Sequence, residues 1–287
     1  MQIDQDTRVF GLIGYPLDHS LSPFMHNLAF QAAGVNAVYL PFPVKPGRVS
    51  SAVEGARALG IRGFNVTIPH KETIIPYLDG ISPEAEACGS VNTVLFEGDR
   101  AIGYNTDGIG FMDSLEQEGV EVQGVAIILG AGGAARAIGY QLSLRGAITV
   151  FLNRTPERAE KLARDTARIT GRESWGMSWE SGRVLDFVRD AALLINTTPV
   201  GMYPDIDRQP PFDLKSLKPN SVVADIIYNP PKTRLLREAE ALGLKTVNGL
   251  GMFVNQGVRS WEMFTGREAP RKLMEDKLRG LLLENET

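Results

Sequence analysis

A chain of 287 residues, 43% apolar and 22% charged, carries enough apolar material for two cores of ordinary domain size and too much for a disordered polymer. Its net charge of −4 excludes nucleic acid as the main partner, because binding phosphates needs clustered Lys and Arg. One cysteine, Cys88, excludes an internal disulfide and a thiolate zinc cage, and unbroken apolar runs no longer than VAIIL at 125–129 are too short to span a membrane, so a soluble, untargeted, cytoplasmic chain with no metal is expected.

The first third alternates short apolar runs with helical stretches. VFGLIG (9–14) reads as a strand. Ser22 as cap and Pro23 at the first helical position start a helix that Gly34 ends. AVYLPFPV (37–44), FNVTIP (64–69) and VNTVLF (91–96) are further strands, and the turn EGDR predicts a hairpin into AIGYN (101–105). Between them RVSSAVEGARALG (48–60) and KETIIPYL (71–78) are expected as crossover helices. DGIGFMDSLEQEG (107–119) is a helix leading into VAIIL, and ITVFLN, ALLINT, SVVADII and KTVNG supply the later strands of a second α/β series. The tail, MFVNQGVRSWEMFTG and RKLMEDKLRGLLLEN, forms two helices expected to pack back on the first domain.

VAIIL followed by GAGGAARA is strand, tight turn and helix. Gly130 permits the turn, Gly132 lets the backbone approach a pyrophosphate, and Ala135 allows close helix packing. Phosphates then sit on a helix N-terminus, where unpaired N–H groups favour negative charge. Glycines alone also fit a turn in any α/β domain, and their place between a strand and a helix is what favours a dinucleotide. An NAD site expects a carboxylate about 20 residues on, for the ribose 2′-hydroxyl. Asn153, Arg154 and Thr155 stand there instead, with Arg158 one turn further and Thr155 placed to cap the helix that Pro156 starts. Two charge-assisted bonds to a 2′-phosphate, each roughly 1.5 to 3 kcal/mol when desolvated, favour NADP over NAD by about two to four decades at most.

A nicotinamide supplies hydride, so the chain needs a group that moves a proton at the substrate oxygen. NVTIPHK ends a strand at Lys71, and GYNTDG places Asp107 where the first domain hands over to the second. Together NVTIPHK, VNT with Asn92, GYNTDG, GAGGAAR, NRTPER, DIIYNP and NGLGMFVNQ resemble the shikimate dehydrogenase family, in chain order from SLSPFMHN to Gln256. The resemblance implies an N-terminal α/β substrate domain (1–107), an NADP-binding Rossmann domain (108–249) and C-terminal helices (250–287) returning to the first. It implies reversible reduction of 3-dehydroshikimate to shikimate in aromatic amino acid biosynthesis, with Lys71 and Asp107 at the reacting oxygen. Ser20, Ser22 and Tyr228 would hold the substrate carboxylate, while Asn65, Thr67, Asn92 and Gln256 meet ring hydroxyls or the catalytic pair. The expected cofactor site comprises Gly130, Ala131, Gly132, Gly133, Ala134, Asn153, Arg154, Thr155, Arg158, Ile226, Gly249 and Met252. Tyr228 and Met252 also suit plain core packing, and a homodimer is compatible with the resemblance.

Other readings stand beside this one, among them a two-domain dehydrogenase of an amino or folate substrate, which the Ser20 and Ser22 pair set for a carboxylate weakens. A quinate/shikimate dehydrogenase working with NAD(P) shares most of these motifs, and Asn153, Arg154 and Thr155 argue for the NADP enzyme. A non-catalytic NADP(H) sensor needs the glycine loop but not Lys71, Asp107, Asn92 and Gln256.

Overall fold

The computed structural model describes residues 3–284; residues 1–2 and 285–287, which fall in the predicted ranges 1–107 and 250–287 and include Asn285 of the predicted last helix, lie outside the described residues. The described chain divides into two compact units, one made of residues 3–106 and 254–280, the other of 107–253 and 281–284.

The first unit runs β1 (Arg8–Gly14), α1 (Ser22–Ala32), β2 (Ala37–Pro43), α2 (Val49–Ala58), β3 (Gly63–Val66), β4 (Gly80–Ile81), α3 (Pro83–Cys88), β5 (Thr93–Glu97) and β6 (Arg100–Tyr104). Its sheet has the order β2-β1-β3-β5-β6-β4, with β1 parallel to β2 and β3 and with β5 antiparallel to both β3 and β6. The predicted hairpin is β5–β6, where Glu97 pairs with Arg100 and Gly98 takes φ +63° at the first turn position, as a type II′ turn requires. Two predicted features differ. KETIIPYL is a run of turns ending in a 3-10 turn at Ile75–Tyr77, because Pro76 has no N–H for Glu72 and its ring would clash with that carbonyl in an α-helix. Ser22 is not the cap but the first residue of α1: Leu21 already has helical angles, and its carbonyl accepts from Met25 N at 3.0 Å.

In the second unit α4 (Asp107–Gln117) leads into β7 (Val125–Leu129), α5 (Gly133–Leu144), β8 (Ile148–Leu152), α6 (Pro156–Thr170), β9 (Ser174–Met177), α7 (Val184–Val188), β10 (Ala191–Asn196), β11 (Val222–Asp225), α8 (Arg234–Ala241) and β12 (Lys245–Val247). All six strands are parallel, in the order β12-β11-β10-β7-β8-β9. Helices cover both faces, so the central strand β7 is apolar throughout. Val125, Ile127 and Leu129 feed one core while Ala126 and Ile128 feed the other. Each such aliphatic burial stabilises the sheet by about 1.5 to 3 kcal/mol. Strand order reverses between β7 and β10, the switch point where ligands of such sheets sit beyond the strand ends.

Two helices complete the chain, α9 (Gly249–Thr265) and α10 (Arg271–Glu284). α9 begins before the predicted MFVNQ start because Asn248 Oδ1 accepts from Leu250 N at 3.1 Å and closes its first turn. Its later part belongs to the first unit, as expected: Phe264 stacks on Phe10 at 4.7 Å between ring centroids and Trp261 lies 5.9 Å from Phe30. Such aromatic pairs contribute about 0.5 to 1.5 kcal/mol beyond the area they bury.

Candidate active site

Strand ends set the first unit's polar residues. β3 carries Asn65, which is 5% exposed and fully engaged: its Oδ1 accepts from the Tyr39 phenol at 2.7 Å, and its Nδ2 donates to Thr93 Oγ1 and Ser260 Oγ at 3.0 Å and to Asn92 O at 3.2 Å. Asn92 continues the chain of bonds. Its Oδ1 accepts from Thr106 N at 2.8 Å and from Thr93 Oγ1 at 3.0 Å, and its Nδ2 donates to Thr106 Oγ1 at 2.9 Å and Gln256 Oε1 at 3.5 Å. Backbone groups, whose polarity is fixed, therefore orient both amides: Asn92 O faces the Asn65 NH2, and Thr106 N–H faces the Asn92 carbonyl. Thr106 Oγ1 also donates to Gln256 O at 3.1 Å, and Ser260 Oγ donates to the same carbonyl at 2.7 Å.

Asn65, Asn92 and Gln256 thus share one network, which takes in Thr106, the residue before Asp107. Tyr39, Thr93, Thr106 and Ser260 belong to it without having been singled out in the sequence. Behind the network His26 lies flat against Tyr39, 4.3 Å between centroids and 5° between planes. Burial lowers the His26 imidazole to about 3, so it stays neutral, and it holds the Tyr39 phenol well above its usual range.

Thr67 follows β3; its N–H donates to Ile13 O at 2.9 Å, and its carbonyl accepts from His70 N at 2.9 Å. His70, 1% exposed, lies 2.6 Å through Nε2 from Val44 O, which makes it a structural residue. Lys71 is half-buried, and its carbonyl accepts from Val91 N at 2.8 Å, which fixes the turn that carries the amine. Ser20 Oγ accepts from Ser22 N at 3.4 Å just ahead of α1. The remaining predicted substrate residues are in the other unit. Asp107, 3% exposed, opens α4, and half-buried Tyr228 stacks on Phe253 at 4.2 Å.

Glycine loop geometry in the second unit follows from two different demands. Gly130 takes φ +119°, and a Cβ there would stand 2.5 Å from Thr197 Oγ1. Gly132 caps α5 at φ −94° and ψ −171°, angles open to any residue, and a Cβ there would meet nothing within 4 Å. Gly132 is exposed and Gly133 and Ala134 half-buried at the helix start, while Ala135 is fully buried against the sheet. An open N-terminus on a helix of 12 residues suits a pyrophosphate. At the end of β8, Asn153 Nδ2 donates to Thr155 O at 2.9 Å, and Arg154, Thr155 and Arg158 are exposed. Thr155 occupies the cap position of α6, with extended backbone angles (φ −102°, ψ 98°), but its hydroxyl makes no capping bond, contrary to expectation. Ile226 packs at the edge of a core that also takes Met252, 7% exposed, and a Cβ on Gly249 would stand 2.2 Å from Ile226 O. Met252 is therefore a core residue first.

Residues 12–94 match the family described as shikimate dehydrogenase substrate binding domain, and residues 249–279 match the shikimate 5′-dehydrogenase C-terminal domain. A shikimate dehydrogenase (NADP(+)) of Methanopyrus kandleri is 45% identical over 279 residues, 96% of each chain. The chain belongs to the shikimate dehydrogenase family. Among solved structures, a shikimate dehydrogenase in complex with NADP+ has a TM-score of 0.90 at 43% identity, covering 98% of both chains. Shikimate 5-dehydrogenase from Listeria monocytogenes, in complex with shikimate and NAD, has a TM-score of 0.89 at 38% identity over 97% of this chain and 98% of that one. Family membership accounts for the two-unit α/β architecture with a Rossmann sheet. No helix among the described residues is long and apolar enough to cross a membrane.

Proposed function

We propose that this chain is an NADP(H)-dependent oxidoreductase that interconverts 3-dehydroshikimate and shikimate, a step of aromatic amino acid biosynthesis towards chorismate, and that it works in the cytoplasm. The observation that carries the reading is the buried network of Asn65, Asn92, Thr106 and Gln256, a set of amides and hydroxyls suited to a polyhydroxylated ring and running to the doorstep of Asp107. In this reading residues 1–107, with the range 250–287 that carries α9 and α10, take the ring acid, and 108–249 take the cofactor.

Ser20, Ser22 and Tyr228 hold the carboxylate through hydroxyls and the start of α1. Asn65, Thr67, Asn92 and Gln256 meet the ring hydroxyls or the catalytic pair, Asn65 by holding its buried neighbours in place. Gly130 to Ala134 receive the pyrophosphate, and Asn153, Arg154, Thr155 and Arg158 the 2′-phosphate; Ile226, Gly249 and Met252 complete that site. When bound, the cofactor supplies hydride for reduction and accepts it in oxidation. Lys71, as an ammonium, donates a proton to the carbonyl oxygen as it becomes a hydroxyl and recovers one in the reverse direction, while Asp107 holds the amine at that oxygen. Following nicotinamide absorbance with shikimate and NADP+ tests this directly. Lys71→Met should abolish turnover with NADPH affinity intact; a near-normal rate in that variant removes Lys71 from the chemistry.

A further inference from the structure

The second unit holds a buried acid that this chemistry does not use. Asp225 ends β11 and is 1% exposed. Its Oδ1 accepts from Ile227 N at 3.0 Å and from Asn196 Nδ2 at 3.1 Å, and its Oδ2 accepts from Thr233 Oγ1 at 2.8 Å. Burial raises its carboxyl to about 7 even though all three bonds pull it down. A carboxyl group buried at such cost is retained where its bonds fix something.

What they fix is the chain leaving the C-terminal edge of the sheet. Asn196 ends β10, and its own Oδ1 accepts from Thr198 N at 3.0 Å and Thr198 Oγ1 at 2.7 Å, while its Nδ2 also donates to Val200 O at 3.3 Å. Ile227 and Thr233 bracket the segment that carries Tyr228, and Thr233 Oγ1 accepts from Leu236 N at 3.4 Å as the cap of α8. Thr197 borders the glycine loop, donating through N and Oγ1 to Leu129 O at 2.9 and 2.7 Å, and Ile226 packs so closely on Gly249, at the start of α9, that a Cβ there would stand 2.2 Å from Ile226 O.

We propose that Asp225 is a positioning residue for the NADP(H) site, holding segments 197–200 and 226–233 in their binding form through Asn196 and Thr233. The inference rests on the assignment of the second unit to NADP(H). Asp225→Leu removes the acceptor of Ile227 N and Thr233 Oγ1 and one of the two acceptors of Asn196 Nδ2; Asp225→Asn restores an acceptor and gives the Thr233 hydroxyl a polar partner. NADPH affinity is titrated by nucleotide fluorescence on the full chain, with thermal scans showing that each variant is folded at the assay temperature. D225L should bind NADPH about tenfold or more weakly, the effect of a lost buried hydrogen-bond partner. D225N should stay within about threefold of wild type. Thr233→Val removes one donor and should weaken NADPH by about threefold to tenfold, a readout that stands if D225L fails to fold. Folded D225L or T233V binding NADPH like wild type overturns the proposal, and so does D225N binding as poorly as D225L. Failure of the wild-type chain to bind NADPH removes the functional reading and this inference together, whereas wild-type binding with unaffected variants removes this inference alone.

Discussion

Gly132→Ala separates folding from cofactor binding. The backbone at Gly132 has φ −94° and ψ −171°, which alanine adopts freely, and the added methyl meets no atom within 4 Å. Two small effects on stability oppose each other. Restricting the unfolded chain gains roughly 0.4 to 1 kcal/mol, and alanine is a poorer helix cap than glycine by several tenths. Unfolding should therefore shift by less than about 1 kcal/mol, a few degrees in Tm for a protein of this size. Binding is different, because the methyl enters the space through which a pyrophosphate approaches the α5 amides. Losing one or two charge-assisted bonds at roughly 1.5 to 3 kcal/mol each predicts NADPH affinity lower by about one to four decades. Differential scanning calorimetry and NADPH titration on the same preparation give both numbers. Unchanged affinity in the folded variant would refute a pyrophosphate at this loop.

Three further outcomes follow from the structure. Replacing Arg154 and Arg158 together by Ala should reduce kcat/KM with NADPH by about tenfold to a hundredfold and leave NADH nearly unaffected, exposure keeping the loss below the desolvated limit; equal losses with both cofactors would remove the 2′-phosphate from this site. Tyr39→Phe strips the phenol donor from the buried Asn65 oxygen, so stability should fall by about 1 to 3 kcal/mol in urea unfolding and kcat/KM for shikimate by about threefold to tenfold, with the KM for NADPH unchanged; unaltered stability would mean that the phenol does not hold that amide. His26 and Asp225 should tilt stability against pH in opposite senses. The His26 imidazole is lowered from 6.5 to about 3 on folding, so its contribution is present above 6.5 and lost as pH falls through that window; the Asp225 carboxyl is raised from 3.8 to about 7, so its contribution is present below 3.8 and lost as pH rises towards 7. Urea unfolding between about pH 4.5 and 6.5 should then rise more steeply with pH for Asp225→Asn and less steeply for His26→Phe, by at most about 1.4 kcal/mol per pH unit each, and parallel curves for all three proteins would contradict both shifts.

The Rossmann half was legible because its signals are local. VAIIL is apolar on both faces, Gly130 and Gly132 follow at once, and the missing carboxylate at Asn153 lies a single βαβ unit away. β9 escaped notice since SWGM is short and its glycine reads as a breaker, yet Gly176 serves packing: a Cβ there would lie 2.2 Å from the Ala159 carbonyl group of α6. KETIIPYL has the apolar spacing of a helix, and Pro76 overrules it. The site was legible only in part, as motif residues one at a time. Asn65 meets Ser260 across 195 positions and Asn196 meets Asp225 across 29, and no local pattern announces either bond. Tyr39 sits inside AVYLPFPV, where a phenol is indistinguishable from another core ring until its partner is known.

The most direct test is steady-state oxidation of shikimate and of quinate, each with NADP+ and with NAD+. The account predicts that shikimate with NADP+ gives the highest kcat/KM of the four pairs. Faster quinate oxidation with NAD+, or no nicotinamide reduction with either acid, would contradict it.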